Sequence, residues 1–114
     1  MNTNSKKLHL TIKNIFKKHK LSSKHAKICA DALINAELVG APSHGLSRLK
    51  MYCDRINKKV INPKPKIKIK RISQSITQID GNNSIGFVAA DIGIKKAISN
   101  AKKTGIGFVG IKNS

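Results

Sequence analysis

The chain is organised around the stretch Gly40-Ala41-Pro42-Ser43-His44-Gly45-Leu46-Ser47-Arg48-Leu49-Lys50-Met51-Tyr52, most of which falls in a helix predicted from about residue 43 to residue 59. At about 100° per residue, one narrow sector of this helix holds four polar side chains, namely His44, Arg48, Tyr52 and Arg55. An imidazole that titrates near neutral pH, beside a fixed guanidinium, can hold a carboxylate and move a proton next to it. The alternative is a solvated polar face on which Ser43 merely caps the first helical turn.

Apolar spacing predicts that this helix packs with two others. A second sector repeats apolar residues at spacings of 3, 4, 3 and 4, which is typical of a buried stripe: Leu46, Leu49, Cys53, Ile56 and Val60. One amphipathic helix is expected from Leu8 to Lys20, and another from about Lys24 to Val39, with Gly40 as its stop. The buried stripe of this second helix is predicted to comprise Ala26, Cys29, Ala30, Leu33 and Ala36.

A different pattern begins after the segment Asn62-Pro63-Lys64-Pro65, whose prolines force an extended path. Alternating Lys and Ile from Lys66 to Ile72 predicts a strand with one buried face, and Ile76 to Ile79 a second strand. A helix is predicted from about Ile85 to Lys103, and the apolar run Ile106 to Ile111 predicts a third strand buried on both faces. The buried face of the predicted helix comprises Phe87, Ala90, Ile94, Ile98 and Ala101.

These elements predict an α+β fold class. Residues 1–62 are expected to form an N-terminal helical subdomain, and residues 66–114 the start, in the order β-β-α-β, of a layered α/β domain. Three strands and one helix leave a sheet face and sheet edges uncovered, and the chain stops directly after the third strand. We therefore expect the 114 residues to be the N-terminal fragment of a longer protein.

The net charge of +18 allows a second interpretation. A small basic module could bind nucleic acid, with the two helices that flank Gly40 imitating a helix-turn-helix. Of the 23 basic residues, however, three are arginine, and aromatic residues make up 4% of the chain. Bidentate base contacts favour arginine, and single strands stack on aromatic rings, so this composition disfavours a nucleic-acid partner.

The remaining composition indicates a cytoplasmic protein. No stretch approaches the roughly 20 apolar residues of a membrane span, and the N-terminus lacks a secretory signal pattern. Cys29 and Cys53 each lie on an apolar helical stripe, where isolated cysteines are usually small buried hydrophobic residues. The spacing indicates neither a disulfide framework nor a metal-ligand cluster.

Four segments together resemble one enzyme family. The first runs from Ala30-Asp31-Ala32-Leu33 into Gly40-Ala41-Pro42-Ser43-His44-Gly45-Leu46-Ser47-Arg48-Leu49 and Tyr52. The others are Ile61-Asn62-Pro63, then Ile79-Asp80-Gly81 with Gly86, and finally Ala101-Lys102-Lys103-Thr104-Gly105-Ile106-Gly107 with Asn113-Ser114. In this order and spacing they resemble the malate/L-lactate dehydrogenase family that lacks a Rossmann domain. Ureidoglycolate, sulfolactate, diketogulonate and piperideine-carboxylate oxidoreductases belong to that family.

The resemblance implies an oxidoreductase that uses NAD or NADP, bound by a non-Rossmann domain, and that is a homodimer at full length. Hydride would move between the nicotinamide and C2 of a 2-hydroxy or 2-oxo acid. The resemblance further implies that Ser43 and His44 border the substrate, with His44 as the catalytic proton donor and acceptor. It also implies that Arg48 holds the substrate carboxylate and that Tyr52 lines the same pocket.

One feature departs from the family pattern. In the family, Asn-Ser is followed almost at once by another histidine, which several members use as the acid/base. Because the chain ends at Ser114, either His44 or a histidine beyond Ser114 would serve. Gly105-Ile106-Gly107 lacks the third glycine of a dinucleotide fingerprint and precedes a strand, so we interpret it as a helix stop with close packing. The cofactor-binding residues are therefore expected beyond Ser114, and the 114-residue chain alone is expected to be inactive.

Overall fold

The computed structural model describes residues 3–114, which form helices and a three-stranded sheet. The helices are α1 (Thr3–Lys18), α2 (Ser23–Leu38), α3 (Leu49–Asn57) and α4 (Gly86–Thr104), and the strands are β1 (Lys68–Arg71), β2 (Ile76–Asp80) and β3 (Phe108–Lys112). The chain divides into two compact units, a helical unit that ends at Lys64 and a sheet unit from Pro65 to Ser114. This element order confirms the predicted α+β fold class. Among residues 3–114, no helix has the length and apolar character needed to cross a bilayer.

The core of the helical unit lies between α1 and α2, which pack against each other. Ile12 and Phe16 of α1 are almost completely buried. The buried residues of α2 are Ala26, Cys29, Ala30, Leu33 and Ile34, which confirms the predicted stripe except at Ala36, which is half-buried. Across the same pair of helices, Nε2 of His9 lies 2.6 Å from Oδ1 of Asp31. The two helices are therefore joined by an apolar core and by a polar contact beside it.

The end of α2 gives the following chain a defined direction. Gly40 has a φ of +78°, in the left-handed region that glycine adopts at little cost. The N–H of Ala41 donates to the carbonyl of Ala36 at 2.8 Å, and the N–H of Gly40 donates to the carbonyl of Glu37 at 3.2 Å. This pair of bonds is the Schellman pattern, which confirms that Gly40 ends the helix.

The third helix is shorter than the sequence predicts. α3 begins at Leu49 rather than at about Ser43, because Gly45 leaves the helical path with φ −102° and ψ −130°. Two 3-10 turns, Pro42–His44 and Leu46–Arg48, precede α3 instead. Ser43 lies inside the first of these turns, and no side chain caps that turn.

With the helix interrupted, the predicted common polar sector is wrong. His44 lies in the first 3-10 turn, whereas Tyr52 and Arg55 lie on α3. The predicted apolar stripe is confirmed at Ile56, which is buried, while Leu46, Leu49 and Cys53 are half-buried. It is wrong at its end, because Val60 lies beyond α3 and is 62% exposed.

In the sheet unit, β2 is the central strand. β1 pairs with it in antiparallel and β3 in parallel orientation. Thr77 and Ile79 are the buried residues of β2, and Nδ2 of Asn100 on α4 donates to Oγ1 of Thr77 at 3.0 Å. A Cβ on Gly93 would lie 3.0 Å from Cδ1 of Ile111, so this glycine allows α4 to approach β3 closely. α4 therefore covers one face of the sheet.

The individual strands and α4 are more exposed than their own apolar patterns predict. All residues of β1 are exposed, so its predicted buried face is wrong for this chain. β3 is likewise not buried on both faces, since Phe108 is 64% exposed. Ile94 and Ile98 of the predicted α4 stripe are exposed, while the buried residues of α4 are Val88, Ala89 and Gly93. The stop after α4 is confirmed, because Gly105 adopts a φ of +87°.

Candidate functional site

Residues 42–48 form a loop that is braced by its own hydrogen bonds. Oγ of Ser47 donates to the carbonyl oxygen of Pro42 at 2.8 Å. Nε of Arg48 donates to the carbonyl oxygen of Ser43 at 2.9 Å. The backbone N–H of Gly45 donates to Pro42, and that of Arg48 to Gly45, which closes the two 3-10 turns. Because the two ends of the loop are tied to each other, the side chains it carries are held close together.

Ser43 and His44 form a hydrogen-bonded pair on the surface of this loop. Oγ of Ser43 lies 2.9 Å from Nδ1 of His44, and both side chains are exposed. The hydroxyl can donate to an unprotonated Nδ1 or accept from a protonated one, so the pairing suits either state of the ring. The contact orients the imidazole through Nδ1 and leaves Nε2 to exchange a proton with a ligand.

Arg48 joins the same group through the backbone of Ser43. Its bond to the Ser43 carbonyl uses Nε alone, so the two terminal amino groups of the guanidinium can bind both oxygens of a carboxylate. Arg48 is half-buried, so water competes less with a ligand for the N–H groups of its guanidinium. The loop thus brings together three of the residues that the sequence singled out, although no common helix face does so.

Sequence reasoning missed Glu37, which lies on the last turn of α2. Its Oε1 accepts the backbone N–H of Leu46 at 2.8 Å. Its side chain also lies against Gly45, where a Cβ would be 2.8 Å from Cγ and Cδ of Glu37. No periodicity links residues nine positions apart across a helix end, so the sequence carried no signal for this contact.

Tyr52 is half-buried on α3, one helical turn after Arg48, and its part in the site stays a prediction. Two cavities of the helical unit are lined by residues other than Ser43, His44, Arg48 and Tyr52. One of about 570 Å³ is lined by Lys18, His19, Lys20, Ile56, Asn57, Lys59, Ile61, Asn62 and Pro63. One of about 420 Å³ is lined by Ser47, Lys50, Met51, Asp54, Arg55 and Lys58. We assign the candidate site to the 42–48 loop because polar groups of complementary chemistry converge there.

In the turn between β2 and α4, the space beside Gly81 is too small for the pyrophosphate of a dinucleotide. A Cβ on Gly81 would lie 2.7 Å from the carbonyl oxygen of Asn113, so the chain itself occupies the space beside this glycine. Hydrogen bonds from the Asn82 backbone and the Asn113 side chain lower the pKa of Asp80. These residues are engaged with one another, and we assign none of them to a nicotinamide cofactor. Within residues 3–114, no three His, Cys, Asp or Glu side chains are grouped to hold a metal ion.

Comparison with known proteins identifies relatives of the chain. The sequence profile of the malate/L-lactate dehydrogenase family matches residues 3–114. The chain belongs to this family. The malate/(S)-sulfolactate dehydrogenase of Methanothermus fervidus is 42% identical over 94 residues, which are 82% of this chain and 28% of that protein. The ureidoglycolate dehydrogenase (NAD(+)) of Escherichia coli is 33% identical over 104 residues, which are 91% of this chain and 30% of that protein.

A solved structure extends the similarity to the fold. The malate dehydrogenase of Pyrococcus horikoshii OT3 matches with a TM-score of 0.93 at 40% identity, over 96% of this chain and 32% of that one. The chain therefore spans about a third of the length of these family members. The nucleic-acid alternative gains no support, because residues 39–48 between α2 and α3 exceed the three or four residues of a helix-turn-helix turn.

Proposed function

We propose that the 42–48 loop is the substrate site of a dehydrogenase that interconverts 2-hydroxy and 2-oxo acids. The main support is the joint attachment of two side chains to Ser43, His44 through its hydroxyl and Arg48 through its carbonyl oxygen. A group that moves protons thereby lies next to a group that binds carboxylates. The relatives' names support the same class, since malate, sulfolactate and ureidoglycolate are all 2-hydroxy acids.

Each site residue then has a defined task. Oxidation of a 2-hydroxy acid removes a hydride from C2 and a proton from the C2 hydroxyl. Nε2 of His44 accepts that proton, and in the reverse direction the imidazolium returns it to the C2 oxygen. Arg48 binds the C1 carboxylate through its terminal amino groups, Ser43 borders the substrate, and Tyr52 lines the pocket. If a histidine outside residues 3–114 is the main acid/base, His44 is its partner in binding the substrate.

We propose NAD as the hydride acceptor, because one relative carries NAD(+) in its name. NADP is the alternative, and the ratio of kcat/KM for the two cofactors decides between them. Since the chain spans about a third of its relatives' length, we propose that residues outside 3–114 bind the cofactor. The 114-residue chain alone is therefore expected not to reduce 2-oxo acids with NADH or NADPH.

We further propose a cytoplasmic homodimer. Both cysteines are free thiols, as is usual in a reducing compartment. Burial raises the pKa of Cys29 to about 12, and it also raises that of Cys53. Both thiols are therefore protonated and unreactive at neutral pH, which fits a packing role. Sedimentation of the enzyme expressed from its complete open reading frame tests the dimer.

Replacement of Arg48 tests the substrate site in the same full-length enzyme. Arg48→Ala removes a charge-assisted bond worth about 1.5–3 kcal/mol, so kcat/KM for 2-oxo acids should fall about tenfold to a hundredfold. Arg48→Lys should recover little, because a point charge replaces a two-pronged donor.

Arg71→Ala is the matched control, since the exposed Arg71 also donates from Nε to a backbone carbonyl, that of Ser73. Its kcat/KM should equal that of the wild type. An unchanged kcat/KM in Arg48→Ala for the 2-oxo acids that correspond to malate, sulfolactate and ureidoglycolate would show that Arg48 does not bind the substrate.

A further inference from the structure

We infer that Glu37 is a positioning residue for the 42–48 loop. Its carboxylate holds the loop in the conformation in which Ser43, His44 and Arg48 meet. Glu37 itself lies outside the loop, near the end of α2, and it is the sole glutamate of the chain. The inference rests on the proposed function in so far as it concerns catalysis.

Two contacts tie Glu37 to the junction between the two 3-10 turns. Oε1 accepts the N–H of Leu46 at 2.8 Å. Leu46 is the first residue of the second turn, and the first N–H groups of a helical turn have no partner within it. Cγ and Cδ of Glu37 also fill the space beside Cα of Gly45, which is buried. The side chain of Glu37 thus occupies the volume that a side chain at residue 45 would need.

The junction determines the position of His44 relative to Arg48. His44 ends the first 3-10 turn and Arg48 ends the second, with Gly45 between the turns. The backbone of Glu37 is in turn held by the Schellman bond from Gly40, at 3.2 Å. The hydrogen-bonded end of α2 therefore holds the carboxylate at the junction. Loss of the carboxylate frees the junction without removing any group that is proposed to touch the substrate.

Amide exchange in the 114-residue chain tests the contact without any assay of activity. We expect the Leu46 N–H, followed by NMR, to exchange at least about tenfold faster in Glu37→Ala, because a hydrogen bond to a charged acceptor is lost. Glu37→Gln keeps an acceptor oxygen at the same reach and should restore most of the protection. Asp54→Asn is the matched control, because that carboxylate pairs with Lys50 on an exposed face and its loss should leave Leu46 unchanged.

Compensation between residues 37 and 45 tests the positioning role in the full-length enzyme. Gly45→Ala brings a methyl group against Glu37 and should lower kcat/KM by about tenfold or more, whereas the same change in Glu37→Ala should add little. Glu37→Gln should keep most of the kcat/KM, and amide protection in α1 and α2 should be the same in every variant. A general loss of folding would not give this local pattern.

The outcomes separate the two proposals. Protection of Leu46 that persists in Glu37→Ala, or additive effects of Gly45→Ala and Glu37→Ala, would overturn the role of Glu37. A full-length wild type without activity towards 2-oxo acids would overturn the proposed function instead. In that case the exchange of Leu46 still decides whether Glu37 orders the loop.

Discussion

The helical unit buries more of its apolar residues than the sheet unit does. Phe16 and Leu33, on the first two helices, are 0% exposed, but Phe108 on β3 is 64% and Ile94 on α4 is 57% exposed. Two helices that face each other each bury a stripe. One helix on a three-stranded sheet covers a single face and leaves its own outer side open. Burial therefore depends on how many packing partners a segment has, and not on its apolar pattern alone.

Truncation of one phenylalanine in each unit tests this contrast most strongly. Phe16→Ala should lower the free energy of unfolding of the helical unit by about 3–5 kcal/mol, because it opens a cavity in a closed core. Phe108→Ala should cost less than about 1 kcal/mol, because most of that ring is already in water. Urea unfolding followed by circular dichroism measures both values. Equal losses would show that the two units do not differ in burial as described.

The helix stops should behave alike in both units, although the cores differ. Gly40 and Gly105 have φ values of +78° and +87°, and a Cβ on either would meet nothing within 4 Å. Alanine at each should therefore cost about 1 kcal/mol, from the left-handed backbone alone. Gly86→Ala is the control, since that site is equally open but has no positive φ, and it should be neutral or stabilising. Thermal unfolding that showed a cost at Gly86 as large as at Gly105 would contradict this.

The polar contact between α1 and α2 should make a small, pH-dependent contribution. Partial burial opposes ionisation of Asp31, but hydrogen bonds from Lys27 and His9 outweigh it and hold the pKa of Asp31 below its ordinary value of 3.8. A carboxyl whose pKa is lower in the folded state contributes stability that is present above pH 3.8 and is lost as the pH falls below it. The effect should be modest, because the side chain is 48% exposed.

Asp31→Asn should accordingly unfold at a lower urea concentration than the wild type near neutral pH, with a difference that shrinks in acid. Asp91→Asn, which removes a pair with Lys95 inside one helix of the sheet unit, is the matched control. A difference between Asp31→Asn and the wild type that stayed constant with pH would show that the asparagine acts through packing rather than charge.

The sequence was sufficient where one local rule decides the structure. Glycine stops at Gly40 and Gly105 follow from the left-handed conformation, and the stripe of α2 follows from its 3.6-residue period. It was insufficient on α4, which is apolar on more than one side. Small residues decide which side meets the sheet, since a Cβ at Gly93 would already lie 3.0 Å from Ile111. The spacing of apolar residues along a helix does not show which of two apolar faces a neighbouring strand can approach more closely.

The candidate site shows the same limit at shorter range. The motif singled out Ser43, His44 and Arg48, but a continuous helix was the wrong reason for their proximity. Gly45 breaks that helix, and hydrogen bonds to Ser43 bring the three residues together instead. The carboxylate of Glu37, which accepts the N–H of Leu46 next to this break, belongs to α2. No sequence pattern indicates this contact.

The most direct test of the proposed site pairs a change in Arg48 with a change in the substrate. In the full-length enzyme, kcat/KM is measured for a 2-oxo acid and for its carboxamide, which lacks the charge, with wild type and with Arg48→Ala. If Arg48 binds the carboxylate, the wild type should prefer the acid by about tenfold or more, and the preference should nearly vanish in Arg48→Ala. The same preference in both proteins would contradict the assignment of the 42–48 loop as the substrate site.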